Sequence, residues 1–389
     1  MPSKQKTADQ VDISHLLPPN SLFSGLILQW FDLAARQMPW RKSRDPYAIW
    51  ISEVMLQQTQ VQTVIPYFLR FLAAFPTIES LAKAPLQQVL KLWAGLGYYR
   101  RAKQLHSAAK LIVQQYQGRF PREFPVILTL PGIGRYTAGA VGSIAFNLRV
   151  PVLDGNVMRV LARLLDFHGD IAQPAAQKLL WQIAADIIPA DRPGDFNQAM
   201  MELGATVCKP LSPACDQCAV RRFCLAQQRG TAEMLPHKSK RTAVRTVTCM
   251  AIVLQRNEHT LLCKRPEGGL WSGLWEFPTF EIYGSKDSRH ALNAAKKRAT
   301  KSLGVDIEFQ AVHKPVRHQL THRLMIYQIL IGSIKNGRRD AAADKWITMH
   351  LPYESARWVR GINSVPVARV TEKILAVAEA HIHNNRSTR

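Results

Sequence analysis

The chain has 389 residues, with 51 Lys and Arg against 28 Asp and Glu and a formal net charge of +23 at pH 7. Its 47% hydrophobic content suffices for about two or three cored domains, no apolar run nears the ~18 residues of a membrane-spanning helix, and six cysteines in this length exclude a secreted disulfide scaffold. Both halves are basic, with 26 basic against 16 acidic residues in 1–239 and 25 against 12 in 240–389, which points to a polyanionic partner, most simply nucleic acid.

Residues 1–20 read as a flexible arm, polar and without the apolar core of a signal peptide, which implies the cytoplasm and its nucleoid. Leu22, Leu26, Trp30 and Leu33 recur at helical spacing and predict a helix over 21–38, ended by Pro39. Residues 46 to about 203 continue as short helical segments punctuated by Pro66, Pro76, Pro85, Gly95, Pro121 and Pro131, with almost no strand-like alternation. Residues 21–225 therefore form an all-α region. A linker over 226–244 carries Gly230, Pro236 and a basic run. Residues 245–375 read as a mixed α/β domain: strands over 245–254 and 260–264 about a turn at Asn257, a strand around Phe280, Ile282 and Tyr283, a helix over 291–303, and a strand over 324–331. Residues 376–389 read as a basic tail.

Cys208, Cys215, Cys218 and Cys224 lie in a C-x6-C-x2-C-x5-C run. So crowded a set suggests metal ligation. The single tight run with unequal gaps suits a [4Fe–4S] cluster, with zinc and uncoordinated thiols as the other readings. Leu130-Pro131-Gly132-Ile133-Gly134 joins two helical patterns, and two glycines there leave backbone N–H groups open to a phosphate oxygen. Asp154, before Gly155, reads as a helix cap or a catalytic anion. Glu53 stands among apolar neighbours, which reads either as a buried Glu paired with an Arg or as a carboxyl group that loses hydration, so that its pKa rises toward a general acid's.

These motifs, with residues 46–61 and Gly95-Leu96-Gly97-Tyr98-Tyr99, resemble the adenine DNA glycosylase (MutY) family of the endonuclease III-like helix-hairpin-helix superfamily. The likeness runs in order from about residue 25 to 225 and more weakly to about 375. It implies two helical lobes, an active site between them and a structural [4Fe–4S] cluster on the four cysteines. The reaction implied is hydrolysis of the N-glycosidic bond of adenine mispaired with 8-oxoguanine or guanine, after the base is flipped out of the duplex. Glu53 would protonate adenine at N7, Asp154 would stabilise the oxocarbenium ion, and Asn156 would orient the site. Tyr136 occupies the hairpin position where bifunctional relatives carry the Schiff-base lysine, so the enzyme would be monofunctional. Gln58 and Tyr98 match the family's duplex wedge, Gly132 and Gly134 the phosphate-binding hairpin, and Arg100 and Arg101 would contact phosphate.

The second domain resembles a Nudix fold, since residues 273–278 read like the opening of a Nudix box. The helix that should carry magnesium-binding acids reads Lys296-Lys297-Arg298 instead, so nucleotide hydrolysis is not expected. The likeness implies a lesion-recognition domain, with Thr321 and His322 matching the hydroxyl and imidazole of the family's Phe-Ser-His loop and Leu320 replacing its aromatic. Expected partners are duplex DNA and downstream base excision repair proteins, with the enzyme a monomer. The competing functions are a non-catalytic lesion sensor, a bifunctional glycosylase/AP lyase of the endonuclease III type, and a Nudix hydrolase with a DNA-binding appendage. Cys249 and Cys263 read as ordinary strand residues.

Overall fold

A computed structural model describes residues 20–239, 244–256, 258–282, 288–303, 307–334 and 352–387. The arm at 1–19, the turn residue Asn257 and Tyr283 lie outside them. The architecture is an all-α region followed by an α/β Nudix-like domain. Contacts divide the chain into two compact units, one from Met1–Ala82 and Ser107–Lys240, the other from Lys83–His106 and Arg241–Arg389. The second unit thus takes in a helical segment that sequence order assigns to the first.

The first unit holds helices α1 (Asn20–Ala34), α2 (Pro46–Leu56), α3 (Val61–Ala74), α7 (Phe124–Thr129), α8 (Arg135–Phe146), α9 (Gly155–Leu164), α10 (Pro174–Ile187), α11 (Pro193–Thr206) and the short α12 (Leu225–Gln228), together with most of α4 (Ile78–Lys83) and of α6 (Arg100–Tyr116). Helix α1 stops at Ala34, four residues before the expected end, and Pro39 opens a separate turn of 3-10 helix. Pro66 does not punctuate; it lies inside α3. Tyr47 through Met55 of α2 are all buried, as expected of a helix that is apolar on every side. Trp50, fully buried, packs its ring edge-on to Phe120 at 5.5 Å, and burying a side chain of this class contributes about 1.5–3 kcal/mol. At the crossing of α11 on α9, a Cβ on Gly204 would stand 2.6 Å from Asn156 Cβ, so only glycine permits the approach. The stretch read as a linker continues this unit: Leu235 is buried and the carbonyl of His237 accepts from the N–H of Ile171.

The second unit adds α5 (Leu86–Trp93) to a seven-stranded mixed sheet. Its strands are β1 (Arg245–Arg256), β2 (His259–Lys264), β3 (Trp275–Glu276), β4 (Thr279–Glu281), β5 (Ile307–Gln319), β6 (Arg323–Ile334) and β7 (Ser355–Val359). The order is β3-β2-β1-β6-β5, with β4 pairing β1 and β7 pairing β2. Strands β1 and β6 run parallel with Ala251 opposite Ile329, and the other pairs are antiparallel. Met250, Ile252 and Leu254 alternate onto one face of β1, where Ala295, Ala299 and Leu303 of α13 (Ser288–Leu303) cover them at helical spacing. Cys263 belongs to this core and Cys249 is buried in β1. Residues 376–387, read as a tail, are the second half of a helix, Arg369–Ser387.

Candidate active site

Three helices of the first unit bring the carboxylates together. Asp45 caps α2 by accepting from the N–H groups of Tyr47 (3.0 Å) and Ala48 (3.3 Å), and Pro46 takes the first position, where no N–H is needed. This sets Glu53, 4% exposed, on the innermost turns. Tyr136 stands in the first turn of α8, and its hydroxyl donates to Glu53 Oε2 at 2.5 Å with Met201 Sδ 3.3 Å away. Asp154 is the N-cap of α9: Oδ1 accepts from the N–H of Val157 at 2.7 Å, and Oδ2 from the Asn156 side-chain amide at 3.0 Å. Glu53, Tyr136, Asp154 and Asn156 line one cavity of about 560 Å³, a size suited to a small ligand or base.

Burial raises both carboxylates, and they differ in their hydrogen-bond partners. Burial raises Glu53 to about 7, the charge of Asp154 adding to this while the Tyr136 hydrogen bond and Arg41 oppose it. Burial also raises Asp154, against its bonds to Val157 and Asn156 and the charge of Arg159. Glu53 is thus held ready to carry a proton near neutrality, while Asp154 has the donors that an anion needs. Burial and the neighbouring carboxylates push Tyr136 well above its ordinary value, which keeps it a neutral donor.

The cavity has a second polar wall that sequence reasoning missed. Arg36 grips Glu202 with Nε at 2.5 Å on Oε1 and Nη2 at 3.1 Å on Oε2, and Arg41 adds Nη2 at 2.9 Å and reaches Gln198 Oε1 at 3.2 Å. Burial works to raise Glu202, but the two guanidiniums outweigh it and hold the carboxyl low. The signal available was that of Glu53, a lone acid in the apolar stretch Met200-Met201-Glu202-Leu203. Gln58 borders the cavity in the left-handed region at φ 59.

Between α7 and α8 the hairpin turn places Gly132 at φ 76 and makes Gly134 the N-cap of α8. A Cβ built on Gly134 would meet nothing within 4 Å, so the backbone is uncovered on that side of the turn.

The four cysteines follow α11 on one loop, all as free thiols. Burial, then neighbouring sulfur charge among other causes, raises Cys218, to about 11, and also Cys215 and Cys224. Sulfurs this close destabilise one another as thiolates, and a bound cationic centre relieves that cost. Among the described residues no trio of His, Cys, Asp or Glu is arranged to hold a single metal ion. Arg163, 1% exposed, anchors the loop: Nη1 donates to Cys208 Sγ at 3.3 Å and to the Lys209 carbonyl at 2.6 Å, and Nη2 to that of Pro210 at 3.1 Å. Arg159 joins the loop to α9, donating to Asn156 Oδ1 (2.9 Å) and to the carbonyls of Gly204 (2.7 Å) and Cys208 (2.8 Å). Glutamine cannot span these acceptors. Arg159→Gln is expected to cost about 2–4 kcal/mol in denaturant unfolding, and an unchanged midpoint would show that the bridge carries no load.

The remaining candidates lie in the second unit. Tyr98 is 47% exposed at φ 48, and its hydroxyl hydrogen-bonds that of Thr321 at 2.9 Å. Thr321 and His322 form the turn between β5 and β6, with His322 exposed. Arg100 is exposed at the start of α6.

Comparison with known proteins gives two domain matches: residues 51–186 to the HhH-GPD superfamily of base excision DNA repair proteins, and residues 249–377 to the NUDIX domain. The adenine DNA glycosylase of Homo sapiens is 39% identical over 311 residues, covering 66% of this chain and 57% of that protein. That of Arabidopsis thaliana is 40% identical over 316 residues, covering 70% and 50%. That of Buchnera aphidicola is 40% identical over 261 residues, covering 67% and 75%. The chain therefore spans about half the length of the human and plant proteins.

Proposed function

We propose that this chain, which belongs to the adenine DNA glycosylase family, hydrolyses the N-glycosidic bond of adenine mispaired with 8-oxoguanine or guanine in duplex DNA. The observation that carries this reading is the Tyr136–Glu53 hydrogen bond of 2.5 Å in a cavity shared with Asp154. Adenine is a poor leaving group as an anion, so a proton must reach the base as the bond to the sugar breaks. Glu53, raised to about 7, is the donor, and N7 of adenine is the acceptor. The sugar carbon then gains positive charge, which the Asp154 carboxylate stabilises electrostatically. Water adds to that carbon and gives up a proton to the Glu53 carboxylate, releasing neutral adenine and an abasic sugar and restoring the acid. Asn156 holds the Asp154 carboxylate in place.

The Glu202–Arg36–Arg41–Gln198 wall offers donors and acceptors to the edge of a flipped base. Gln58 and Tyr98 fill the gap left in the duplex, Gly132 and Gly134 present N–H groups to phosphate, and Arg100 adds a phosphate contact. Thr321 and His322 meet the opposing lesion. Strand cleavage by a Schiff base is not expected, because Tyr136 cannot form one and no lysine lines the cavity among the described residues.

Cys208, Cys215, Cys218 and Cys224, four free sulfur donors on one loop, fit a [4Fe–4S] cluster, which their thiolates would hold. The cluster, when bound, cross-links the loop. Arg163 and Arg159 hold that loop against the catalytic helix.

The test is a duplex with one adenine opposite 8-oxoguanine, incubated with cluster-replete protein and then split. Strand cleavage only after hot alkali is the expected result. Cleavage without alkali, trapped by borohydride, would mean a lysine nucleophile and a bifunctional enzyme. Binding with no cleavage in either half would make the protein a lesion sensor.

A further inference from the structure

Tyr98 is an exposed aromatic residue in a backbone region that bulky side chains rarely adopt, at φ 48 between Gly97 at φ 73 and the start of α6. Something must hold it there, and the surrounding loop shows what does. The Arg101 guanidinium carbon lies 5.3 Å from the centroid of the Tyr98 ring and 5.5 Å from that of Trp93. Its Nη2 reaches the carbonyls of Leu96 at 3.5 Å and Gly97 at 3.4 Å. Trp93 Nε1 donates to the same Gly97 carbonyl at 3.1 Å. At the loop's other end the N–H of Gly95 donates to Tyr99 Oη at 3.2 Å, and that hydroxyl donates to the Val367 carbonyl at 3.2 Å.

We infer that Arg101 is a positioning residue, which fixes the Gly95–Tyr99 loop so that the Tyr98 ring meets the duplex already in its binding conformation. The inference rests on the reading of Tyr98 as the residue that enters the duplex. It revises the expectation that Arg101 contacts phosphate: its guanidinium is turned inward, to two rings and two carbonyls of its own loop, whereas Arg100 beside it is exposed. Arginine suits the task because its planar cation stacks on aromatic faces while its edge donates to carbonyls; a lysine ammonium offers neither the plane nor the fork. Burial lowers Arg101 to about 10, which leaves it charged at neutral pH.

The experiment compares wild type with Arg101→Met, Arg101→Gln, Arg101→Lys, Tyr98→Ala and the Arg101→Met/Tyr98→Ala double variant. Dissociation constants for the lesion duplex and a matched duplex, their salt dependence, saturating single-turnover rates and thermal midpoints are measured. Loss of the stacked cation is expected to weaken lesion binding about tenfold, with lysine failing to restore it. The saturating rate should change less than about threefold, because uniform binding energy, not the chemical step, is lost. In the Tyr98→Ala background the Arg101 change should add less than about twofold, since the two residues act as one unit. A penalty of equal size in both backgrounds, or a salt slope reduced by about one, would overturn the inference, the latter identifying a phosphate contact. If Met does not fold, Gln carries the same comparison, and wild-type binding by both would also overturn it. A wild type that fails to distinguish lesion from matched duplex would sink the reading of Tyr98 itself, a result separable from any effect at Arg101.

Discussion

Glu53→Gln is expected to lose the chemical step by about 10²–10⁴-fold, the usual contribution of a general acid, while duplex binding persists. In the wild type the single-turnover rate should fall as pH rises through about 7, because only the protonated carboxyl can give up a proton and burial holds it near that value. The variant should lack this limb of the profile. Its stability should move the other way. The folded-state pKa of Glu53 lies above the ordinary unfolded value of about 4.3, so the stabilisation from the protonated form is fully present below about pH 4.3 and is lost as pH rises through about 7. Glutamine never ionises. Above pH 7 it should therefore be the more stable protein by up to about 3 kcal/mol, and below pH 4 the two should converge. Urea unfolding at pH 5 and pH 8 tests this. A variant equally active with a flat profile would remove Glu53 from the chemistry.

Asp154→Asn separates the two duties of that residue. Its Oδ1 caps α9 through the Val157 N–H at 2.7 Å, and asparagine caps about as well as aspartate, so stability should stay within about 1 kcal/mol. The amide has no charge to set against an oxocarbenium ion, and the single-turnover rate should fall about 10²–10³-fold, as when one preorganised electrostatic partner is removed. Asp154→Ala should lose the cap as well, a further ~1 kcal/mol. Measuring rate and unfolding midpoint on the same preparations decides the matter: a rate that follows the midpoint would reduce Asp154 to a cap.

Glu53 was legible as a carboxylate among mainly apolar neighbours, a pattern that a buried Glu–Arg pair also gives and that the resemblance turned into a catalytic assignment. The cysteines were legible by density. Asp154 was legible only as a cap with a second meaning, and the structure bears out the cap. Glu202 carried the same local signal, but its pairing with Arg36, just past the end of α1, was not legible, since 166 residues separate them. The hydrogen bond between Tyr98 and Thr321 spans 223 residues and leaves no local trace. Strand β5 hid behind Pro315, which argues against a strand; the structure places it in the register break between Val312 and Val316, where no ladder N–H is required. Residues 376–389 read as a basic tail, but 376–387 continue the helix that starts at Arg369. Its buried stripe of Val370, Ile374 and Ala378, spaced by four, was readable all along.

The segment Lys83–His106 carries a further consequence. Its partners belong to the Nudix-like unit: Gln87 to the Gly273 carbonyl and the Trp275 indole, Lys103 to Glu267 and Ser272, and Tyr99 to Val367. The two structural units are thus interleaved along the sequence and not placed end to end. A recombination or truncation at the apparent boundary near residue 240 would orphan the loop that carries Tyr98. Substitutions in Lys83–His106 therefore act on the fold of the second unit, although the segment lies within the first region of the sequence.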